Sequence, residues 1–360
     1  MRILKELCAL PTVPFEEGRV VEWVEGFVRG RPRLRVERDE WGNVLVELKG
    51  KKNGGPRWVF GAHIDHPGMV AKGMVDRRIV EAEFRGWVLV ELVMGAKVRF
   101  FEESGREVAG KVIQATAGED GGRTASVRVR VGEAVAPGAI GMWDVENAVL
   151  KGGKFYARAC DDVAGAAAAL SMMDELRRDP PTATVAVLLT RAEEEGFIGA
   201  IGAAKRPRLL RKTDRIVSIE TSAMQAYTPQ GAGPIIRVGD KTSVFDSGLT
   251  CFLTQQAEAL KKRSKGFAYQ RALMPGGTCE ATVYDAYGFM AAAICVALGN
   301  YHNMDRQGKR IGAEYVDVGD WKSMVRLFVA IARHGHEYRE GHGALRERIE
   351  ARFAKLKRLL

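Results

Sequence analysis

The chain lacks the features that would tie it to a membrane, a secretory route or a disulfide scaffold. No run approaches the ~18 consecutive apolar residues of a membrane span. The opening stretch MRILKELCALPTVP carries charges among its apolar positions and has no long apolar core, so a signal peptide is not expected. Cysteine is scarce: Cys8, Cys160, Cys251, Cys279 and Cys295 are scattered, odd in number and without a CxxC pair. That argues against a Cys-based zinc knuckle or a disulfide framework and for reduced thiols in a cytoplasm. Internal repeats and low-complexity tracts are missing. The net charge of +10 gathers partly in Arg29–Arg38 and Arg346–Arg358, but its basic residues alternate with Glu and apolar positions, and no series of aromatics accompanies them. Neither a nucleic-acid nor a membrane partner is expected; a basic surface that aids solubility or draws in acidic substrates is the simpler reading.

What is present is a 360-residue globular composition, 46% hydrophobic and 28% charged, enough for two domains. Thr184–Gly199 (TVAVLLTRAEEEGFIG) reads as a buried strand that ends in Glu193, Glu194 and Glu195, then turns at Gly196 into a small-residue helix. Three acids there can be a solvated cluster at a helix start. Two further strand exits favour a site: Gly61-Ala62-His63-Ile64-Asp65 and Ala159-Cys160-Asp161-Asp162. Open α/β sheets place their sites at such ends.

Along the chain, an amphipathic helix is expected over Leu10–Arg29, strands over Val44–Leu48 and Trp58–Ala62, and a loop over Gly50–Pro56. From Met69 to Gly153 short segments dominate: Ile79–Phe84, Val88–Leu92, Lys97–Phe101, Val108–Ala115 and Ala125–Val131, with Gly-rich turns between them. They predict a small all-β domain. After it come a helix (Asp162–Arg178) and strands at Thr184–Thr190, Arg215–Ile219, Ile235–Val238, Phe267–Leu273 and Ala291–Val296. Helices are expected at Leu249–Lys262, Ala281–Tyr287 and Asp320–His334, with helical spacing of apolar residues in the charged tail. The fold class is α/β: a mostly parallel mixed sheet flanked by helices, with the β domain inserted. Residues 1–68 and 153–360 are expected to form one discontinuous domain, and 69–152 a barrel-like insert.

The acids and imidazoles at strand exits are His63, Asp65, Asp161, Glu193, Glu194, Glu220 and His302. Two His with several carboxylates suit zinc, with cobalt or manganese as alternatives. Two ions held by five side chains need a carboxylate between them, and a leftover carboxylate can act as general base.

In this order, and around a β insert, the motifs resemble the tetrahedral (TET), glutamyl and deblocking aminopeptidases, a family of dinuclear zinc metallo-exopeptidases. The resemblance rests on His63-Ile64-Asp65, Asp161 with Gly165 four later, Glu193-Glu194-Glu195-Gly196 with Gly199-Ala200 following, Gly276-Gly277-Thr278 and His302. It implies two divalent ions, most simply zinc, bridged by Asp161, with His63 and Glu220 completing one site and Glu194 and His302 the other. Glu193 would be the general base, and Asp65 would fix the His63 tautomer. It implies a metal-dependent aminopeptidase acting on small peptides, and a homo-oligomer, with a dodecamer as one form. An N-acyl amino acid deacylase of the same fold, and a silent relative that serves as a scaffold, are the alternatives. The chain departs from the family pattern with Glu220 where Asp is usual, His66 in place of an acid, Cys279-Glu280 after the Gly-Gly-Thr turn, and GNYHNMD around His302. His66 is expected at the rim, Asp162 as a helix cap, Glu195 in solvent or behind the site, Cys160 in packing, and His334, His336 and His342 at the surface.

Overall fold

The computed structural model describes residues 1–52, 56–119, 121–339 and 343–360. Residues 53–55 of the expected loop, and His342, lie outside the described residues. The main body is an eleven-stranded sheet. Its order is Leu34–Arg38, Val44–Leu48, Val185–Thr190, Trp58–His63, Arg215–Ala223, Met290–Gly299, Glu314–Asp317, Lys154–Ala157 and Val149–Lys151. Ile235–Gly239 and Gln270–Leu273 branch from the Met290–Gly299 strand. The centre is parallel: Val185–Thr190, Trp58–His63, Arg215–Ala223 and Met290–Gly299 run the same way. The ladders toward both edges are antiparallel.

The central strands are near-continuous apolar runs because both of their faces are covered. Successive side chains point to opposite faces, and two separate cores result. Phe60, Ala62, Val187, Leu189, Val217 and Ile219 pack beneath helices Arg2–Cys8, Val163–Leu176, Ser247–Arg263 and Val318–His334. Val59, Ala186, Leu188 and Ile216 pack against helices Ile198–Lys205 and Glu280–Ala286 on the other side. Val163–Leu176 (VAGAAAALSMMDEL) is buried almost all round, and its run of alanines lets it sit close to the sheet.

The insert is a closed barrel in the order Gly68–Asp76, Ile79–Arg85, Thr124–Val131, Glu107–Ala117, Lys97–Phe101 and Ile140–Trp143. Inward residues such as Val80, Ala82, Phe84, Phe100, Val129 and Trp143 fill it. The barrel grows directly from the segment that follows His63.

Several expected elements differ. Leu10–Arg29 is not one helix. Its helix begins only at Gly18, because Pro11 and Pro14 have no N–H to give a helix, and a further helix that was not expected, Arg2–Cys8, precedes it. Val88–Leu92 is not a strand. It crosses the barrel rim, where the Val88 carbonyl accepts from Thr124 N–H (2.9 Å), and Val90–Val93 forms a helical turn. Two barrel strands escaped the alternation, Gly68–Asp76 and Ile140–Trp143, because glycines interrupt their pattern, and in the main sheet Leu34–Arg38, Val149–Lys151, Lys154–Ala157 and Glu314–Asp317 were not expected, being short edge or near-edge strands. Only Gln270–Leu273 of the Phe267–Leu273 segment is paired. The tail helix Gly343–Leu356 leaves Ile349, Phe353 and Leu356 exposed. Among the described residues no helix is long and apolar enough to cross a membrane.

Candidate metal centre

The parallel strands deliver their cargo to one edge. His63 ends Trp58–His63; Glu193 and Glu194 follow Val185–Thr190; Glu220 lies in Arg215–Ala223; His302 follows Met290–Gly299. Asp161 approaches from the turn that leads into helix Val163–Leu176, and the Asp161–Asp162 peptide is cis. The Asp161 carboxylate lies between the two imidazoles: Oδ1 is 3.6 Å from His63 Nε2, and Oδ2 is 3.7 Å from His302 Nε2. Glu194 Oε2 is 3.1 Å from His302 Nε2. Two triads of possible ligand atoms, His63–Asp161–Glu220 and Asp161–Glu194–His302, each fall within 4.8 Å and share Asp161. Glu193 stands beside them, with Oε2 4.0 Å from His63 Nε2.

Each ring is oriented by a carbonyl. His63 Nδ1 is 3.2 Å from the Asp65 carbonyl, and His302 Nδ1 is 2.6 Å from the Trp87 carbonyl. Nδ1–H donates to these oxygens, which leaves the Nε2 lone pairs facing the cluster. The Asp65 carboxylate, expected to hold His63, is 3.5 Å from its Nδ1. It also accepts from Glu193 N–H and Glu194 N–H, both at 3.0 Å.

The cluster crowds acids and imidazoles in a buried place. Burial pushes the Glu193 carboxyl well above the usual range and Glu220 up to about 8. Burial works against a charged His302, but Glu194 and Asp161 outweigh it and raise the ring to about 9. Glu194 Oε1 and Glu220 Oε1 are buried with no hydrogen-bond partner. Orphaned carboxylate oxygens beside two Nε2 atoms, which bind a proton when no metal is there and can offer a lone pair once it leaves, form a His/Asp/Glu donor set that fits a divalent cation.

Residues that sequence reasoning missed hold this arrangement. Glu314, fully buried, accepts from Cys160 N–H (2.7 Å) and Asp161 N–H (3.0 Å) through Oε2 and from His302 N–H (2.8 Å) through Oε1. Glu17, also buried, accepts from Ala192 N–H (2.9 Å) and Arg191 Nε (2.6 Å). Neither lies in a recognisable local pattern, since each meets its partners across the fold. His66 is not at the rim. It is fully buried, with Nδ1 2.8 Å from the Asp161 carbonyl and Nε2 2.9 Å from Asn303 Oδ1. Asp162 occupies the N-cap position but caps nothing, because Ala164 N–H bonds the Cys160 carbonyl. Its carboxylate oxygens are buried without partners, and burial drives its pKa well up. Cys160 is buried, while His334 and His336 are partly exposed and paired with Glu337.

The sequence model of the M42 glutamyl aminopeptidases matches residues 42–310. The chain belongs to the M42 peptidase family. It is a metal-dependent aminopeptidase whose dinuclear site is built from His, Asp and Glu side chains. Solved structures share the M42 architecture found here. An aminopeptidase from the archaeon Desulfurococcus kamchatkensis superposes with a TM-score of 0.77 at 22% identity, covering 92% of this chain and 94% of that one. The TET1 peptidase of Pyrococcus horikoshii, described as assembling into a tetrahedron or a large octahedral shell, gives 0.74 at 20% identity, covering 92% and 98%. A TET aminopeptidase from a marine-sediment thaumarchaeon gives 0.76 at 18%, covering 92% and 96%. No curated protein sequence matches the chain significantly.

Proposed function

We propose that two divalent ions, most simply zinc, would be held with Asp161 shared between them, His63 and Glu220 completing one site and Glu194 and His302 the other, and that Glu193 is the general base. The observation that carries this reading is the pair of triads that share Asp161 and include the orphaned oxygens of Glu194 and Glu220. When bound, the ions supply Lewis-acid polarisation of the scissile carbonyl and ease deprotonation of the attacking water. Glu193, with Oε2 4.0 Å from His63 Nε2 at the side of the cluster, takes that proton and returns it to the leaving amine. Asp65 fixes Glu193 and Glu194 through their backbone N–H groups. The free α-amine of the substrate binds among the surrounding carboxylates, which restricts cleavage to N-termini.

A pocket of about 70 Å³ adjoins Glu220 and is lined by Arg237, Ser222, Gln225, Gly276 and Thr278. Arg237 is buried, and its Nε has no partner. A small pocket backed by a fixed cation supports a preference for an acidic first residue, in line with the glutamyl activity in the family's description. The division into a catalytic domain (1–68 and 153–360) and an insert (69–152) that serves assembly or shapes the substrate path belongs to the same proposal; the closed barrel over Gly68–Trp143 supports it, while Val149–Lys151 pairs with Lys154–Ala157 in the main sheet and moves the far boundary to about residue 148. A homo-oligomer, with a dodecamer as one form, is consistent with a relative described as a dodecamer. Five free cysteines are consistent with a reducing cytoplasm.

The test is metal content by mass spectrometry beside a panel of free and N-acetylated amino acid p-nitroanilides. Two ions per chain and cleavage of free-amine Glu and Asp substrates is the expected result. Turnover of acylated substrates alone would make it a deacylase. No metal and no turnover after zinc, cobalt or manganese would leave a scaffold protein.

A further inference from the structure

The turn that carries the base is held from two sides. Glu193–Glu195 forms a single 3-10 turn between left-handed residues: Ala192 (φ 49°) before it, Gly196 (φ 100°) and Phe197 (φ 64°) after it. Two of these are not glycine, so the turn does not keep this shape by itself. Glu17 and Asp65 hold its leading half from the catalytic domain, through Ala192, Glu193 and Glu194 N–H. Glu195 holds its trailing half in the opposite direction. Its Oε1 accepts from Gly86 N–H at 2.6 Å and from the Arg123 guanidinium, and both donors sit on the barrel rim.

The rim is itself a fixed edge. Val88 O accepts from Thr124 N–H and Oγ1–H, both at 2.9 Å, and Leu89 bridges Arg123. Gly86 has φ +87°, and a Cβ there would lie 2.8 Å from Pro67 Cα, so only glycine presents its N–H this way. The next residue, Trp87, supplies the carbonyl that orients His302 at 2.6 Å. Two consecutive barrel residues thus hold one triad twice, His302 directly and Glu194 through its neighbour Glu195. The catalytic domain also holds Glu194 and His302, through the Asp65 and Glu314 carboxylates on their N–H groups, and it holds the remaining ligands: His63 by the Asp65 carbonyl, the shared Asp161 by Thr221 and Glu314, and Glu220 by its strand.

We propose that Glu195 and Arg123 are positioning residues through which the barrel sets the metal affinity of the Glu194–His302 half of the centre. This rests on the ligand assignment above. The pair is partly exposed, 21% and 33%, so it contributes little to global stability, and its loss is felt locally. Removing such a supporting contact weakens a metal site by about 10–100-fold.

The experiment compares wild type with Arg123→Ala, Glu195→Ala and Glu195→Gln. Each is stripped, titrated with zinc against a chelator of known affinity, and assayed for bound metal and Tm. In the alanine variants one of the two ions should weaken by about 10–100-fold while the other and Tm stay at wild-type values. Glu195→Gln, which keeps an acceptor for Gly86 N–H, should fall between. Equal weakening of both ions together with a lower Tm would assign the pair a general structural role and overturn the proposal, as would unchanged binding of both. A wild type that takes up two ions upholds the ligand reading whatever the variants do; a wild type that takes up none overturns both.

Discussion

Replacing Glu314 with alanine should damage both the stability and the metal centre. Its two carboxylate oxygens accept from three buried backbone N–H groups, on Cys160, Asp161 and His302. Alanine leaves all three without an acceptor. Each orphaned donor costs about 1–3 kcal/mol, so the loss should be about 3–5 kcal/mol if water enters the space and satisfies them in part. A domain's total stability is about 5–15 kcal/mol, so this is a large share of it. Urea unfolding of the metal-free protein, followed by tryptophan fluorescence, should show a lower midpoint with an unchanged slope. Glu314→Gln, which retains one accepting oxygen, should lose less. The donors belong to the turn of the shared Asp161 and to His302, so zinc uptake should fall as well. A loss below about 1 kcal/mol, the scale of a surface substitution, would refute the reasoning, since the three N–H groups would then have found other acceptors.

Three further outcomes are expected. Glu193→Gln should keep two ions and lose about 10²–10⁴-fold in turnover of a free-amine p-nitroanilide; a variant with near-normal rates would remove Glu193 from the base role. Burial pushes the Asp240 carboxyl up, but Thr282 Oγ1–H and the N–H groups of Cys279, Ser243 and Thr242 outweigh it and hold the pKa below its ordinary value. Its contribution is therefore present above the unfolded pKa near ~3.9 and lost as pH falls through the lower folded value. Asp240→Asn should cost about 1–3 kcal/mol at pH 7, with the gap closing in acid; a gap that stays constant down to pH 3 would show that the charge is not what these donors recognise. Gly86→Ala, at φ +87° and against Pro67, should lower stability by about 1–3 kcal/mol, and an unchanged Tm would mean that the rim moves freely.

The sheet and the cluster were legible where local pattern carries the information. Val185–Leu189 and Trp58–Ala62 are apolar runs because both faces are covered, and the acids and imidazoles at their exits stand out against them. The structure brings His63, Asp161, Glu193, Glu194, Glu220 and His302 together. What holds them was not legible. Glu314 opens the short strand EYVD with no motif around it, and its three partners lie 12 to 154 residues away. Glu17 looks like any helix-entry acid. His66 reads as a rim residue until Asn303 and the Asp161 carbonyl are seen around it. Asp65 was placed beside His63, but which of its oxygens would face the ring and which the Glu193 backbone depends on the left-handed turn at Ala192, which no residue type announces. The barrel edges were missed where Gly68, Gly73 and Gly141 blank out the alternation.

The parallel centre has a consequence for the order in which the protein comes into being. The strand that bears Glu220 pairs with the His63 strand on one side and with the strand leading to His302 on the other. The chain emerges from the ribosome N-terminus first, so His63, Asp161 and Glu194 are available long before their last partner. The centre closes only after residue 302 has arrived and the Glu314 strand has paired alongside. An unfinished copy therefore holds no complete site.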